Sequence, residues 1–387
     1  MKKSEFPDAF QKVRETDGVL DIDDQFEKVT MILRHKDVRK CAHYYQSFKS
    51  GVQPGRIVVP SEEKIREIRQ IPLELDPPLH TQYRSEMEAW FRRPLQEDYE
   101  LKLTQITSDL VDEILDKAVL EVVEEFALKL QSQALTLLLN VPIEEAEIWI
   151  SWGTHVFRSE DNPLDAEKAE ILYHYIDEQI EKVLHHPGDD LYSVLLRSQF
   201  EGRKFTKEEV KGTMILTFAG GRDTIINAVT NIIVYFGDHP ESLEKIREDP
   251  DIIGKAVEEF IRYFSPLTHL GRVVDVETNV CEYDLHNDDK VSLCWASANR
   301  DSNVFKNPNE VILDRKMNPH VGFGFSHHKC LGATHARQLL KILIKVLVEK
   351  VHSIQLLESE ENIETWGKIK RKVGFHQVNA KFNSIKN

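Results

Sequence analysis

A single cysteine, Cys330, ends the tight stretch Phe323-Gly324-Phe325-Ser326-His327-His328-Lys329-Cys330-Leu331-Gly332, and an apolar run from Ala333 to Val348 begins directly behind it. A thiolate at the mouth of a helix feels the positive end of the dipole and free backbone N–H groups, both of which favour the anion. No second cysteine lies close enough in sequence for a CxxC pair or a zinc knuckle. One soft anionic ligand in an apolar setting suits the proximal side of a haem iron, where thiolate electron donation favours O–O cleavage. On this loop alone two other readings stand. One is a buried structural cysteine; the other is a zinc site drawn from His320, His327, His328 and Cys330, which lacks a recognised ligand spacing.

Three further sets of residues have chemistry in their spacing. Ala219-Gly220-Gly221-Arg222-Asp223-Thr224 interrupts an apolar segment that reads as one buried helix over Met214 to Phe236, opened by the capping box Thr206-x-x-Glu209. Such a helix of about 30 residues spans about 45 Å. Two adjacent glycines inside it cost about 1 kcal/mol each relative to alanine, a cost explained by close approach of another body or by a kink. Beside that notch Asp223 and Thr224 supply an acid and an alcohol. His80 and Arg84, four apart after Asp76-Pro77-Pro78, share one helical face, and arginine holds carboxylates with a fork of charge-assisted bonds. Glu259 and Arg262, three apart, read with Arg315 as a buried structural ion cluster.

These stretches together resemble the cytochrome P450 family. The cysteine loop is similar to its haem-binding loop at Phe323, Gly324, His328, Cys330 and Gly332, and departs at Ser326, where the family usually has a second glycine. That departure bears on the local backbone rather than on the ligand. Asp76-Pro77-Pro78-Leu79-His80 with Arg84 resembles the family segment whose His and Arg bind haem propionates, and Arg272 and His320 match further propionate positions. Gly220, Gly221, Asp223 and Thr224 resemble the groove for O2 and the proton-delivering pair. The resemblance, in register from about Val29 to Gly332, implies haem b with Cys330 as axial ligand and an external electron donor, a small iron–sulfur ferredoxin with its reductase. A cationic docking patch is expected around Lys329, His327, Arg337, Arg92 and Arg93.

The elements that must position these residues are mainly α-helical with small β-sheet regions: the P450 fold as a single large domain over residues 1–387. Val29 to Leu33 reads as a strand, a helix follows from about Lys36 and closes at Phe48-Lys49-Ser50, and a short helix is expected at Glu62 to Ile68 in the loop over the distal pocket. Tyr99 to Leu184 is almost wholly helical, broken near Val141-Pro142 and Asn162-Pro163. Ile354 to Asn387 alternates as a hairpin with Trp366 to Ile369 at its tip. Trp152, His155, Phe157, Tyr173 and His174 fall in the expected pocket roof, and His155, Arg222 and His269 are the candidate substrate contacts.

With 41% hydrophobic and 30% charged residues over 387 positions, the composition is that of a soluble globular protein. Its formal charge of −15 argues against a nucleic-acid partner. No run approaches bilayer length, so no membrane anchor is expected, and the scattered Cys41, Cys281, Cys294 and Cys330 fit a reducing cytoplasm. The expected activity is O2-dependent hydroxylation of a small organic molecule. Its lysine-, isoleucine- and glutamate-leaning sequence is similar to marine-bacterial members that O-demethylate 6-O-methyl-D-galactose with release of formaldehyde. Hydroxylation of a terpene, fatty acid or other natural product is the alternative. A peroxide-driven enzyme fits the acid–alcohol pair less well, and a non-catalytic haem sensor or electron carrier would need a second protein ligand such as His269 or His155.

Overall fold

The structure, a computed structural model, describes residues 5–23, 28–51, 68–154 and 166–385. Helices dominate, and the main core forms where Glu97–Leu115, Asp223–Asp238, Ile253–Phe264 and Ala333–Lys350 meet the C-terminal hairpin. The Ile253–Phe264 helix shows why they pack. Its Ala256, Val257, Phe260, Ile261 and Phe264 recur at helical spacing and are all buried, forming one apolar stripe that must be covered. A second core joins Lys207–Gly221 to Ala166–His185 and Leu191–Arg197, with Trp149 and Phe218 at its centre.

The β-structure is small. Five strands lie in the order Val19–Asp23, Lys28–Ile32, Lys290–Cys294, His269–Val274, Phe48–Lys49. Lys290–Cys294 runs parallel to Lys28–Ile32, and the other pairings are antiparallel. The C-terminal hairpin Val351–Trp366/Ile369–Ser384 takes Leu120–Glu121 as a third strand. That short strand and a π-helical turn at Val123–Leu128 interrupt the stretch expected to be almost wholly helical. Phe48-Lys49 pairs with Val274 and Val273 as a strand instead of closing the preceding helix, which ends at His43.

The expected single long helix is two. The capping box is present, with Glu209 N–H donating to Thr206 Oγ1 at 3.2 Å and Thr206 N–H donating to Glu209 Oε2 at 2.7 Å. The first helix ends at Gly221, however, and a second, Asp223–Asp238, starts after Arg222 at φ −102°, ψ −78°. The Arg222 side chain is fully buried and donates to the carbonyls of Trp149 (2.5 Å) and Gly153, at and just beyond the end of the Glu145–Ser151 helix. The Trp149 carbonyl otherwise receives only the long bond from the Trp152 N–H at 3.3 Å, and Gly153 lies past the helix end; the guanidinium supplies donors to both. Among the described residues no helix is long and apolar enough to cross a membrane. The expected helix at 62–68 lies outside the described residues apart from its last position.

Candidate active site

The cysteine loop is built by short-range bonds. Gly324, at φ 71°, donates its N–H to Val321 O at 2.9 Å, and Cys330 N–H returns to Phe323 O at 2.8 Å. The helix Ala333–Lys350 starts three residues on, and the N–H groups of Gly332 and Ala333 donate to the Cys330 sulfur. Burial pushes the Cys330 thiol up; those two N–H groups and the Arg84 and Arg337 guanidiniums oppose it without prevailing. A bound metal cation deprotonates a coordinating thiol outright. The Cys330 side chain is exposed. Gly220 and Gly221 are similarly open: a Cβ added to either meets no atom within 4 Å.

Near the loop lies a group of basic side chains with few partners. His80 is held in the Leu79–Glu88 helix, and its ring centroid is 4.2 Å from that of His328. Neither ring nitrogen of His80, nor Nδ1 of His328, has a hydrogen-bond partner among the described residues. His328 Nε2 meets Ser50 Oγ at 3.2 Å. Arg272 is 3% exposed, and its one hydrogen bond among the described residues goes to the carbonyl of Gly271 at 2.6 Å. Burial lowers its pKa to about 10. Burial, then Arg84 and the nearby His327 and Arg272, holds His80 down at about 4, and His328 is depressed for the same reasons. Arg84 adds its charge but also reaches Glu88 at 3.1 Å. Buried donors with so few acceptors form a seat for anionic groups. A haem brings two carboxylates together with an iron that accepts a soft sulfur ligand, so the residues present fit that cofactor.

Not every expected residue joins this seat. His320 Nε2 contacts Glu258 at 2.8 Å, and Arg337 grips the same carboxylate at 2.6 and 2.8 Å. Burial works against the Glu258 charge, but Arg337 and His320 outweigh it and bring the carboxyl to about 2. His320 is thus spent on a proximal ion network, and Arg337 is half-neutralised by it. The zinc alternative fails for the same reason: His320 faces Glu258 while His328 faces His80, and no metal-holding group of His, Cys, Asp or Glu forms among the described residues. Arg222 is the second correction, since it braces two helices from a fully buried position instead of facing a pocket. His269 meets Ser292 Oγ at 2.6 Å and packs edge-on against Trp366 at 5.5 Å. Thr224 Oγ1 donates to Gly220 O at 3.1 Å, across the glycine notch. Trp152 packs on Tyr175 and Phe218 as core, and His174 is exposed near Glu178. His155 and Phe157 lie outside the described residues.

The sequence matches the family model "Cytochrome P450" over residues 165–381. The biotin biosynthesis cytochrome P450 of Bacillus subtilis (strain 168) is 32% identical over 290 residues, 73% of each chain. The chain belongs to the cytochrome P450 family. Linalool 8-monooxygenase of Pseudomonas putida is 27% identical over 342 residues, 84% of this chain and 83% of that one. A solved structure described as a carbohydrate active P450 is 63% identical, covers both chains completely and superposes with a TM-score of 0.97. The protein is accordingly a P450 monooxygenase of mainly α fold with small sheets, an oxidoreductase whose cofactor is haem b with an axial cysteine thiolate and which uses O2 and redox partners. Sequence reasoning missed Glu258 and His43 as parts of the site's surroundings. Glu258 was overshadowed by its neighbour Glu259, and His43 carries no motif at all.

Proposed function

We propose that this P450 removes a methyl group oxidatively from an O-methylated sugar such as 6-O-methyl-D-galactose, with Cys330 as the iron ligand. The whole-length likeness to a carbohydrate active P450 carries the substrate class. The chain's own chemistry supports it. Glu364 accepts from Thr268 Oγ1 at 2.6 Å, and Trp366, two residues on and therefore on the same strand face, meets His269. A half-buried carboxylate, an indole and an imidazole at the hairpin end suit a hydroxylated ring better than a hydrocarbon chain.

Bound haem supplies the oxidation of a C–H bond by O2. Cys330 would ligate its iron, and Arg272, His80, His328 and Arg84 would hold its carboxylates. Asp223 and Thr224, at the start of the second helix half, would hold and relay the protons that the reaction consumes. The balance is R–O–CH3 + O2 + 2 electrons + 2 H+ giving R–O–CH2OH + H2O; the hemiacetal then releases formaldehyde and the free hydroxyl. A small ferredoxin is the proposed donor. Lys329 and Arg92, whose side chain is 72% exposed and only loosely paired with Glu88 at 3.7 Å, are the accessible cations of its docking face, because Arg337 is held more tightly by Glu258 and Arg93 by Leu138 O and Asn140.

Incubation of the reconstituted enzyme with 6-O-methyl-D-galactose is expected to yield one formaldehyde per sugar consumed and a substrate-induced high-spin shift. Formaldehyde absent, together with no spectral response to any methylated sugar, would remove the proposed substrate and leave the haem site standing.

A further inference from the structure

One residue of the cysteine loop adopts a backbone that its side chain disfavours. Ser326 lies at φ 61°, the left-handed region that glycine enters freely and a Cβ resists. Its hydroxyl is 2.9 Å from Nδ1 of His43, the last residue of the His35–His43 helix and remote in sequence. The His43 ring also stacks on that of His327 at 6.0 Å and 16°, and Tyr45 meets His327 edge-on at 5.0 Å. One turn earlier, the Arg39 guanidinium lies 4.3 Å from the centre of the Phe325 ring. Phe325, Ser326 and His327 are thus all gripped by one helix and its exit. The Ser326 carbonyl accepts the N–H of Lys329 at 3.1 Å, which closes the turn that delivers Cys330.

We infer that His43 is a positioning residue for the iron ligand: its bond to Ser326 holds the left-handed turn that a glycine would adopt unaided. The inference rests on Cys330 being that ligand. If Ser326 relaxed toward negative φ, its carbonyl would swing away from Lys329, and the segment from His327 to Cys330 would lose its register. Both the His328 ring, packed on His80, and the Cys330 sulfur would shift with it. His43 is exposed, so its replacement removes the contact without opening the core.

A double-mutant cycle on the haem-loaded protein tests this, read as the rate of haem transfer to apomyoglobin and as the thiolate-type fraction of the reduced carbon-monoxide complex. His43→Ala is expected to speed haem loss about fivefold, the equivalent of one hydrogen bond of ~1 kcal/mol, and to lower the thiolate fraction. Ser326→Ala, which keeps the Cβ and loses the hydroxyl, should do at least as much. In a Ser326→Gly background, where glycine needs no anchor, His43→Ala should have a clearly smaller effect, limited to the loss of its stacking on His327. Equal acceleration in both backgrounds, or none in the parent, overturns the assignment of His43 alone. A parent protein without any thiolate-type spectrum removes this inference and the Cys330 reading together.

Discussion

Two clusters of buried charge sit at the cysteine-loop end of the molecule, and they are finished to different degrees. In the first, Glu259 is fully buried and accepts two bonds from Arg262, both at 2.8 Å, one from Arg315 at 2.8 Å and one from the Ile312 N–H at 2.8 Å. The arginines spend their remaining donors on the carbonyls of Asn299, Pro308, Glu310 and Lys306. Burial opposes the carboxylate, but the guanidiniums prevail and its pKa is lowered. In the second cluster Arg272, His80 and His328 crowd together with hardly an acceptor among them. Desolvation penalises an ion whether or not it has a function. A cluster that closes on itself is therefore structural, and one that remains open at such cost is organised around something it binds.

The contrast breaks most visibly at Glu259. Glu259→Gln keeps the shape but leaves two guanidiniums buried without a counter-charge, and breaking a buried pair in this way costs about 3–5 kcal/mol. Urea unfolding of the apoprotein should reveal a loss of that size. A loss below about 1 kcal/mol, the scale of an exposed pair, would show that the cluster is not a closed unit.

Arg272→Gln is predicted to act in the opposite sense on folding. Removing an unneutralised buried cation relieves desolvation, so the apoprotein should be as stable as the parent or more so. Haem affinity should fall about 10- to 100-fold, the loss of roughly 1.5–3 kcal/mol in charge-assisted bonds. Haem titration and apoprotein melting separate the two effects. An apoprotein weakened as much as by Glu259→Gln would erase the distinction between the clusters.

How far the sequence reveals these features depends on how local their causes are. The cysteine turn, the His80/Arg84 spacing and the capping box at Thr206 are legible because each is completed within a few residues, and the Glu259–Arg262 pair is one helical turn. The break at Arg222 is not legible. Its cause is the pair of carbonyls at Trp149 and Gly153, some seventy positions earlier, and without them the apolar pattern reads as one uninterrupted helix. The partner of His320 is equally hidden, since the carboxylate that takes its imidazole lies 62 residues away. The departure at Ser326 is visible in the sequence, but the His43 that answers it is 283 positions distant. Local motifs thus point to the cofactor seat, while the braces around it come from chain meetings that no spacing announces.

Glu258 gives the smallest test and the finest one, because it stands between the two kinds of cluster. It is paired like Glu259 but partly accessible, with 28% of its side chain exposed. Its folded pKa of about 2 lies below the ordinary glutamate value of about 4.3. The stabilisation is therefore present in full above about pH 4.3 and is lost as the pH falls towards 2, since the unfolded chain takes up the proton first. Solvent screening at a partly exposed pair reduces the effect to about 1 kcal/mol. Parent and Glu258→Gln proteins should accordingly differ by about that amount at neutral pH and converge in acid. If the Glu258→Gln deficit persisted unchanged at pH 3, the ion network would owe its strength to packing of Arg337 over Phe323, 4.4 Å from the ring centre, and not to charge.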